Sequence, residues 1–540
     1  MASRRFRIRS PSRSGLTAQT DVIQDVNALH RAKGPAGMSY LAAMIRRVIL
    51  FVVCVALGIF AGAMILYVHL SRSDHLFPWH TEMLTAEFTA KSSDVRTFAD
   101  YQRLEDRLFQ QLDEKVYAQT ATGPEQALVR YSRGSAADPN RREPDWNRSY
   151  ELPATAPRGG VLLLHGMSDS PYSLRAIGKA LNEHGYWVLG LRMPGHGTAP
   201  SGMLTVTWED MSAAVRLGMR HLASKVGNAP IHMLGYSTGA PLAVDYALSA
   251  LDDPALPAPS RLVLLSPAIG ISRAAALARW MDWLGKLPGL ETLAWTQLVP
   301  EFDPFKYNSF TSNAGYQVHR MTRSIVERIE QRASSRALAG FPSTLVFLSA
   351  VDATVSTEAV VDNLLKHLPP GSGELMLFDL NRRDASSTVI VTDPGPLTAR
   401  LMASDKLPFG LTLLANEAPH SGRVVSRHKP ALSTEASVEP LDLAWPGGII
   451  SLSHIALPFP PDDPLYGQTR PEGSDLVFLG QIAVQGERGL LLFPADWLLR
   501  LRYNPFFLFL ESQTIAWLDM ANATPSANDA PSPIPAKPQQ

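Results

Sequence analysis

The chain is 540 residues long, 45% hydrophobic and 19% charged, and its 50 Lys and Arg balance 50 Asp and Glu. That balance describes an ordinary globular protein and excludes the basic excess of a nucleic-acid binder, so no nucleic-acid partner is expected. Its single cysteine, Cys54, excludes an internal disulfide and a cysteine-rich metal site.

Residues 1–47 hold nine Lys or Arg against two acids, Asp21 and Asp25, and offer little to a core. A disordered basic tail on the cytoplasmic side is the expectation. Met38 and Met44 stand just before the apolar run that follows and offer later starts for translation. Residues 48–68 are 21 positions without a charge. As a helix they extend about 31 Å against a hydrocarbon core of about 30 Å, so residues 48–70 read as one transmembrane helix. A signal-peptide core would run to roughly 7–15 residues with small residues at its cleavage site, whereas here Tyr67, His69 and Leu70 close the run. Basic residues flank its N-terminal side, while Asp74, Glu82 and Glu87 outnumber Arg72 beyond it. This asymmetry predicts a single-pass protein with a cytoplasmic N-terminus and an extracytoplasmic remainder, periplasmic if the cell is Gram-negative.

Residues 94–118 place Val95, Phe98, Tyr101, Leu104, Leu108 and Leu112 at three- and four-residue steps among charges. That is the period of an amphipathic helix, packed on the domain beyond it or spacing that domain from the membrane. With the polar stretch 134–145, it makes residues 71–145 a helical spacer and linker. Buried-strand runs follow at 160–164, 186–191, 230–234, 261–265 and 343–348, separated by helical patterns. Strand, helix, strand in alternation predicts a doubly wound, mostly parallel α/β sheet over residues 146–520. Residues 270–338, helical in pattern and rich in large groups such as Trp280, Trp283, Trp295, Phe302 and Phe305, read as a cap. Residues 374–380 look like another strand and 381–447 like an insertion. Residues 490–502 suggest a closing strand or helix, 504–510 a core or docking patch, and 521–540, dominated by Ala, Pro and Ser, a disordered tail.

The strand at 230–234 leads into Gly235-Tyr236-Ser237-Thr238-Gly239-Ala240, read as a sharp turn into a helix. A serine hydroxyl is a weak nucleophile and must project from a strained turn where a base can reach it. Gly235 and Gly239 omit the Cβ atoms that would block such close packing. Alone, the pattern also fits a tight turn around a buried serine.

Three segments in order, Leu164-His165-Gly166-Met167, Pro194-Gly195-His196-Gly197 and Gly235-Tyr236-Ser237-Thr238-Gly239, resemble the α/β-hydrolase fold over about residues 158–360. Within it they are similar to the branch that holds the monoacylglycerol lipases and the serine aminopeptidase family. The resemblance implies that Ser237 is the nucleophile and that the backbone N–H groups of Met167 and Thr238 form an oxyanion hole. It makes His165 and His196 structural residues of their turns. Asp352, in Ser349-Ala350-Val351-Asp352-Ala353-Thr354-Val355, matches the family's Asp-x-x-Val pattern and would orient the histidine. An Asx-turn or helix cap is the other reading of that aspartate.

The histidine departs from the family, which places it within a few tens of residues of the acid. Candidates are His420, His428 and His454. His454 closes the apolar, strand-like run 449–455, where a base is held at a sheet edge, and the proline-rich stretch 458–464 would stiffen its loop. His367 lies in an amphipathic pattern and reads as exposed. The expectation is a membrane-anchored serine hydrolase of carboxylic esters, esterase- or lipase-like, using Ser237, His454 and Asp352 with no metal and no cofactor. The cap and the tether favour a lipid-derived acyl ester as substrate. Acyl transfer, thioester cleavage and peptide cleavage would use the same residues. The rival is a catalytically silent α/β-hydrolase-fold binding module tethered to the membrane, favoured by the insertion and the displaced histidine.

Overall fold

A computed structural model describes residues 35–71, 76–270, 278–333, 338–381, 393–446, 452–480 and 501–522. The expected basic tail up to residue 34, most of the run 490–502 and the tail from 523 lie outside the described residues. The chain divides into two units, Met1–Ser73 and Asp74–Gln540.

In the first unit, α1 (Pro35–Ser71) is a single helix of 37 residues. Its stretch Ala43–Gly62 has a mean hydropathy of 2.3 and no buried residue, so it is long and apolar enough to cross a membrane. Cys54 is exposed on it.

In the second unit the central parallel strands are apolar on both faces, and the two-residue period sends successive side chains into two different cores. In β2 (Gly159–Leu164), Leu162 and Leu164 enter one core while Val161 and Leu163 enter the other. β5 (Arg261–Leu265) does the same with Leu262 and Leu264 against Val263 and Leu265. Burying each such side chain contributes roughly 1.5–3 kcal/mol, which is why both faces need covering helices.

β1 (Tyr150–Leu152), β2, β3 (Tyr186–Leu191), β4 (Ile231–Tyr236), β5, β8 (Ser343–Ser349) and β9 (Gly373–Asp379) lie in the order β1-β3-β2-β4-β5-β8-β9. All neighbours are parallel except β1 with β3. The first core is roofed by α4 (Trp208–Val226), α5 (Gly239–Asp252) and α7 (Ser312–Ala333), through residues such as Val215, Leu242 and Ile325. The second is closed by α3 (Arg175–Glu183) and α10 (Phe507–Asp519), where Phe507, Phe509 and Leu510 are buried. The 504–510 patch therefore belongs largely to the core, with Leu508 facing out.

Two stretches differ from their sequence pattern. Of residues 270–338, α7 is a member of the helical layer, and only the part from α6 (Ala278–Leu284) through the small ribbon β6 (Trp295–Gln297) and β7 (Phe310–Thr311) stands apart from it. There Trp280 and Trp283 are exposed, whereas Trp295, Phe302 and Phe305 are buried. The described part of 381–447 extends the sheet: α9 (Gly395–Ala403) crosses over to β10 (Gly410–Asn416), parallel to β9, followed by antiparallel β11 (Arg423–Lys429) and β12 (Ser437–Ala444).

α2 (Phe98–Lys115) begins at Thr97, whose hydroxyl accepts the Asp100 N–H while the Asp100 carboxylate accepts the Thr97 N–H. Its apolar stripe is buried within the second unit: Phe98, Tyr101 and Leu104 join the first core, and Leu108 and Leu112 pack with Trp79, Tyr117 and Tyr131. The polar stretch 134–145 is also packed, with Ala137 and Asp138 buried and Asp138 capping the turn Pro139–Arg141.

Candidate active site

The strand order reverses at β2, and the loops after β2, β4 and β8 meet at the carboxyl ends of the strands, where doubly wound sheets bind ligands. Ser237 is the hinge between β4 and α5. Its φ of +52° lies in the left-handed region, an unfavourable conformation for a residue with a side chain. Three backbone bonds hold it there: Ser237 N–H to the Leu265 carbonyl at 2.9 Å, and the Ser237 carbonyl accepting from Ala268 at 3.1 Å and Ala240 at 3.2 Å. The close approach depends on Gly239, where a Cβ would strike the Leu164 carbonyl.

Asp352 sits just past β8. One oxygen, Oδ1, accepts the N–H groups of Thr354 at 2.8 Å and Val355 at 2.9 Å, a local turn. The other, Oδ2, lies 2.8 Å from His454 Nδ1. His454 Nε2 lies 3.1 Å from Ser237 Oγ. Asp352 thus forms a local turn with one oxygen and faces His454 with the other. Burial pushes the Asp352 carboxyl upward, but the facing His454 and the three hydrogen bonds outweigh it and hold the carboxyl below its ordinary range. A ring proton on Nδ1 would be accepted by Oδ2 and would leave Nε2 as the acceptor facing the Ser237 hydroxyl.

His454 does not close a strand. Residues 447–451 lie outside the described residues, and His454 opens a short 3-10 turn, His454–Ala456, with Leu452, Ala456 and Leu457 buried beneath it. Of the other candidates, His420 is on the exposed turn between β10 and β11 at a φ of +61°, and His428 is on β11, with Nδ1 3.1 Å from Thr412 Oγ1. A contact the sequence did not suggest supports His454 from below: the Tyr236 hydroxyl donates to the His454 carbonyl at 3.3 Å. No spacing links a residue beside the serine to a backbone group 218 positions later.

Met167 is buried beside this group, and Thr238 caps α5. Among the described residues, neither Met167 N–H nor Thr238 N–H donates to a protein acceptor. The turn carrying Met167 packs directly on the serine: a Cβ at Gly166 would come within 3.1 Å of Ser237 Cβ. His165 and His196 are buried scaffold residues. His165 lies with Nδ1 2.9 Å from the Gly166 carbonyl and Nε2 accepting Met193 N–H at 3.1 Å, and His196 Nδ1 lies 2.9 Å from the Pro194 carbonyl. Burial holds both rings well towards the neutral form, His196 at about 4.

Among the described residues no group of three or more His, Cys, Asp or Glu is gathered as a metal site requires. A cavity of about 540 Å³ opens elsewhere, at the carboxyl ends of β9 and β10, and is lined by Asp379, Asn416 and Arg427 rather than by Ser237, Asp352 or His454.

Residues 155–379 match the family described as serine aminopeptidase, S33. A thermostable monoacylglycerol lipase from Bacillus sp. (strain H-257) is 32% identical over 141 residues, 25% of this chain; the match spans about half, 55%, of that relative's length. Among solved structures, a monoacylglycerol lipase from Paleococcus ferrophilus is 20% identical over 43% of this chain and 87% of its own, with a TM-score of 0.32. A soluble variant of monoglyceride lipase from Saccharomyces cerevisiae is 14% identical over 42% of this chain and 81% of its own, also at 0.32.

Proposed function

We propose that this chain, whose residues 155–379 match the family described as serine aminopeptidase, S33, is an α/β-hydrolase of that kind and a membrane-anchored serine hydrolase of carboxylic esters. The observation that carries the reading is His454, with Nδ1 at 2.8 Å from Asp352 and Nε2 at 3.1 Å from Ser237.

In this reading Ser237 Oγ attacks the acyl carbonyl and its proton passes to His454 Nε2. Asp352 holds the ring and balances the imidazolium. The carbonyl oxygen, now negative, is met by Met167 N–H and Thr238 N–H at the start of α5, whose dipole favours negative charge there. His454 returns the proton to the departing alkoxide, which leaves as the alcohol. Water, deprotonated by the same nitrogen, then releases the acid from Ser237. The relative named a monoacylglycerol lipase makes a monoacylglycerol the first ester to try.

The tether is part of the proposal. Residues 48–70 of α1 would span the membrane once, with the basic residues before them in the cytoplasm and the α/β unit outside it. Residues 278–311 would serve as the cap.

The test is fluorophosphonate labelling of the full chain in detergent, compared with Ser237→Ala and His454→Ala. Labelling lost in the first and slowed at least a hundredfold in the second, with monoacylglycerol turnover following, is the expected outcome. A folded parent that takes no label would turn the reading to the silent binding module.

A further inference from the structure

Resting on that reading, we propose that Lys306 and Asp169 are positioning residues: their ion pair latches the turn that presents Met167 N–H to Ser237 and keeps a buried carboxylate from opposing the oxyanion. The turn after β2 needs such a latch, because Ser168 has a φ of +65°, and a strained residue persists only where its surroundings fix it. Two adjacent residues of the segment before α7 supply the hold. Tyr307 N–H donates to the Ser168 carbonyl at 2.8 Å, and Lys306 Nζ donates to Asp169 Oδ1 at 2.8 Å.

The position of Asp169 explains why its charge matters. Its other oxygen, Oδ2, lies 2.6 Å from the place a Gly166 Cβ would occupy, and Ser237 Cβ lies 3.1 Å from that same place. The carboxylate is therefore a near neighbour of the nucleophile. Its side chain is 6% exposed, against 27% for Lys306. An unpaired buried carboxylate there would raise the energy of any negative charge forming on a substrate oxygen, and interactions at that depth are weakly screened.

The latch is tied in turn to the loop after His454. Asp303 Oδ1 accepts Phe305 N–H at 3.0 Å and Lys306 N–H at 3.1 Å, and its Oδ2 accepts the hydroxyl of Tyr466. Phe305 stacks on Tyr172 at 4.1 Å, and the Tyr172 hydroxyl donates to Asp463 at 2.9 Å. One segment thus connects the turn after β2 with the chain that returns from the histidine.

The experiment uses the full chain in detergent, a p-nitrophenyl ester and the fluorophosphonate label, with Lys306→Met, Asp169→Asn, the double variant and Lys306→Arg, each with its melting temperature. Lys306→Met is expected to lower kcat roughly ten- to hundredfold with KM within about twofold, as slight misplacement of an oxyanion donor does. Adding Asp169→Asn should recover several-fold by removing the stranded charge, and Lys306→Arg should stay near the parent. A pair that only supports the fold would give losses tracking melting temperature, with no recovery in the double variant, and would overturn the proposal. So would a Lys306→Met chain that turns over and labels at the parent's rate. If Lys306→Met does not fold, Asp169→Asn decides: kcat lowered about tenfold at constant KM supports the latch, and parent kcat overturns it. A folded parent that neither labels nor turns over instead removes the hydrolase reading and this proposal with it.

Discussion

The Tyr236 hydroxyl reaches the carbonyl of His454 at 3.3 Å, and the two rings lie 5.5 Å apart, so the residue before the candidate nucleophile holds up the candidate base. The contact couples the last position of β4 to a turn that follows β12 in the chain. It accounts for how a histidine can sit so far along the sequence and still face Ser237. Removing the hydroxyl leaves the carbonyl short of a donor in a buried place, at about 1 kcal/mol. Tyr236→Phe is therefore expected to keep the fold and to slow fluorophosphonate labelling roughly three- to tenfold, through a ring that sits less well. Labelling at the parent rate would show that the contact does not position the histidine.

Asp352 makes a prediction about tautomer rather than charge alone. In Asp352→Asn the side chain is nearly the same size, but an amide nitrogen facing Nδ1 favours the proton on Nε2, where it points the wrong way. The expected loss in kcat is about 10⁴-fold. The pH sign follows from the depressed carboxyl. A group whose folded-state pKa lies below its unfolded value gives stability that is complete above the unfolded value, near 3.8, and is lost as pH falls through the folded one. As pH falls below that unfolded value the parent should therefore lose stability that the variant, with no carboxylate there, does not lose; equal pH dependence of melting in that range would contradict the assignment.

The parallel half of the sheet was legible because each strand is a short apolar run with a turn residue at its end, and the serine turn because glycine spacing records close backbone packing. What the sequence could not convey is contact between distant segments. The residues up to His454 read as a strand because apolar residues suit any buried segment, whereas His454 itself opens a short 3-10 turn, His454–Ala456. Residues 393–446 read as an insertion because β11 and β12 carry the charges and polar groups of an edge, among them Arg423, Arg427, Glu439 and Asp442. α2 was plain as an amphipathic helix, but periodicity names the buried face and not its partner.

Buried histidines make the fold acid-labile in a definite direction. Burial lowers His80 and His196 to about 4 and His232 to about 3, all below the ordinary 6.5. These rings are neutral when folded, whereas below 6.5 the unfolded chain takes up protons, so stability falls as pH drops from 6.5 towards 4. Each contributes about 2 kcal/mol of loss between pH 6.5 and 5. His232 is the cleanest probe, since neither of its ring nitrogens has a hydrogen-bond partner among the described residues. His232→Leu should raise the melting temperature at pH 5 relative to the parent and reduce the slope by about one proton. Identical slopes would mean that the ring is protonated in the folded state.

The α/β unit should not fold from residue 146 onward, because a fully buried cation in it is neutralised by residues that precede that point. Arg192, the first residue after β3, has no exposed side-chain surface. Its Nε donates to Glu105 at 2.9 Å on α2, and its two terminal nitrogens reach the Glu87 oxygens at 3.0 and 3.1 Å. Glu87 also accepts Gly195 N–H at 2.9 Å, in the Pro194-Gly195-His196-Gly197 turn beside the candidate site. Burial raises the Glu105 carboxyl against the pull of Arg192, so the pair is held by geometry and not by easy ionisation. Deleting one member of such a group strands the other charge at about 3–5 kcal/mol, much of a domain's net stability. Glu105→Ala should therefore lower the melting temperature by several degrees or more. A chain starting at residue 146 should be recovered unfolded or aggregated, while one starting at residue 76 should fold and keep the parent's labelling rate. A well-folded, reactive 146–540 fragment would show that α2 rides on the unit without supporting it.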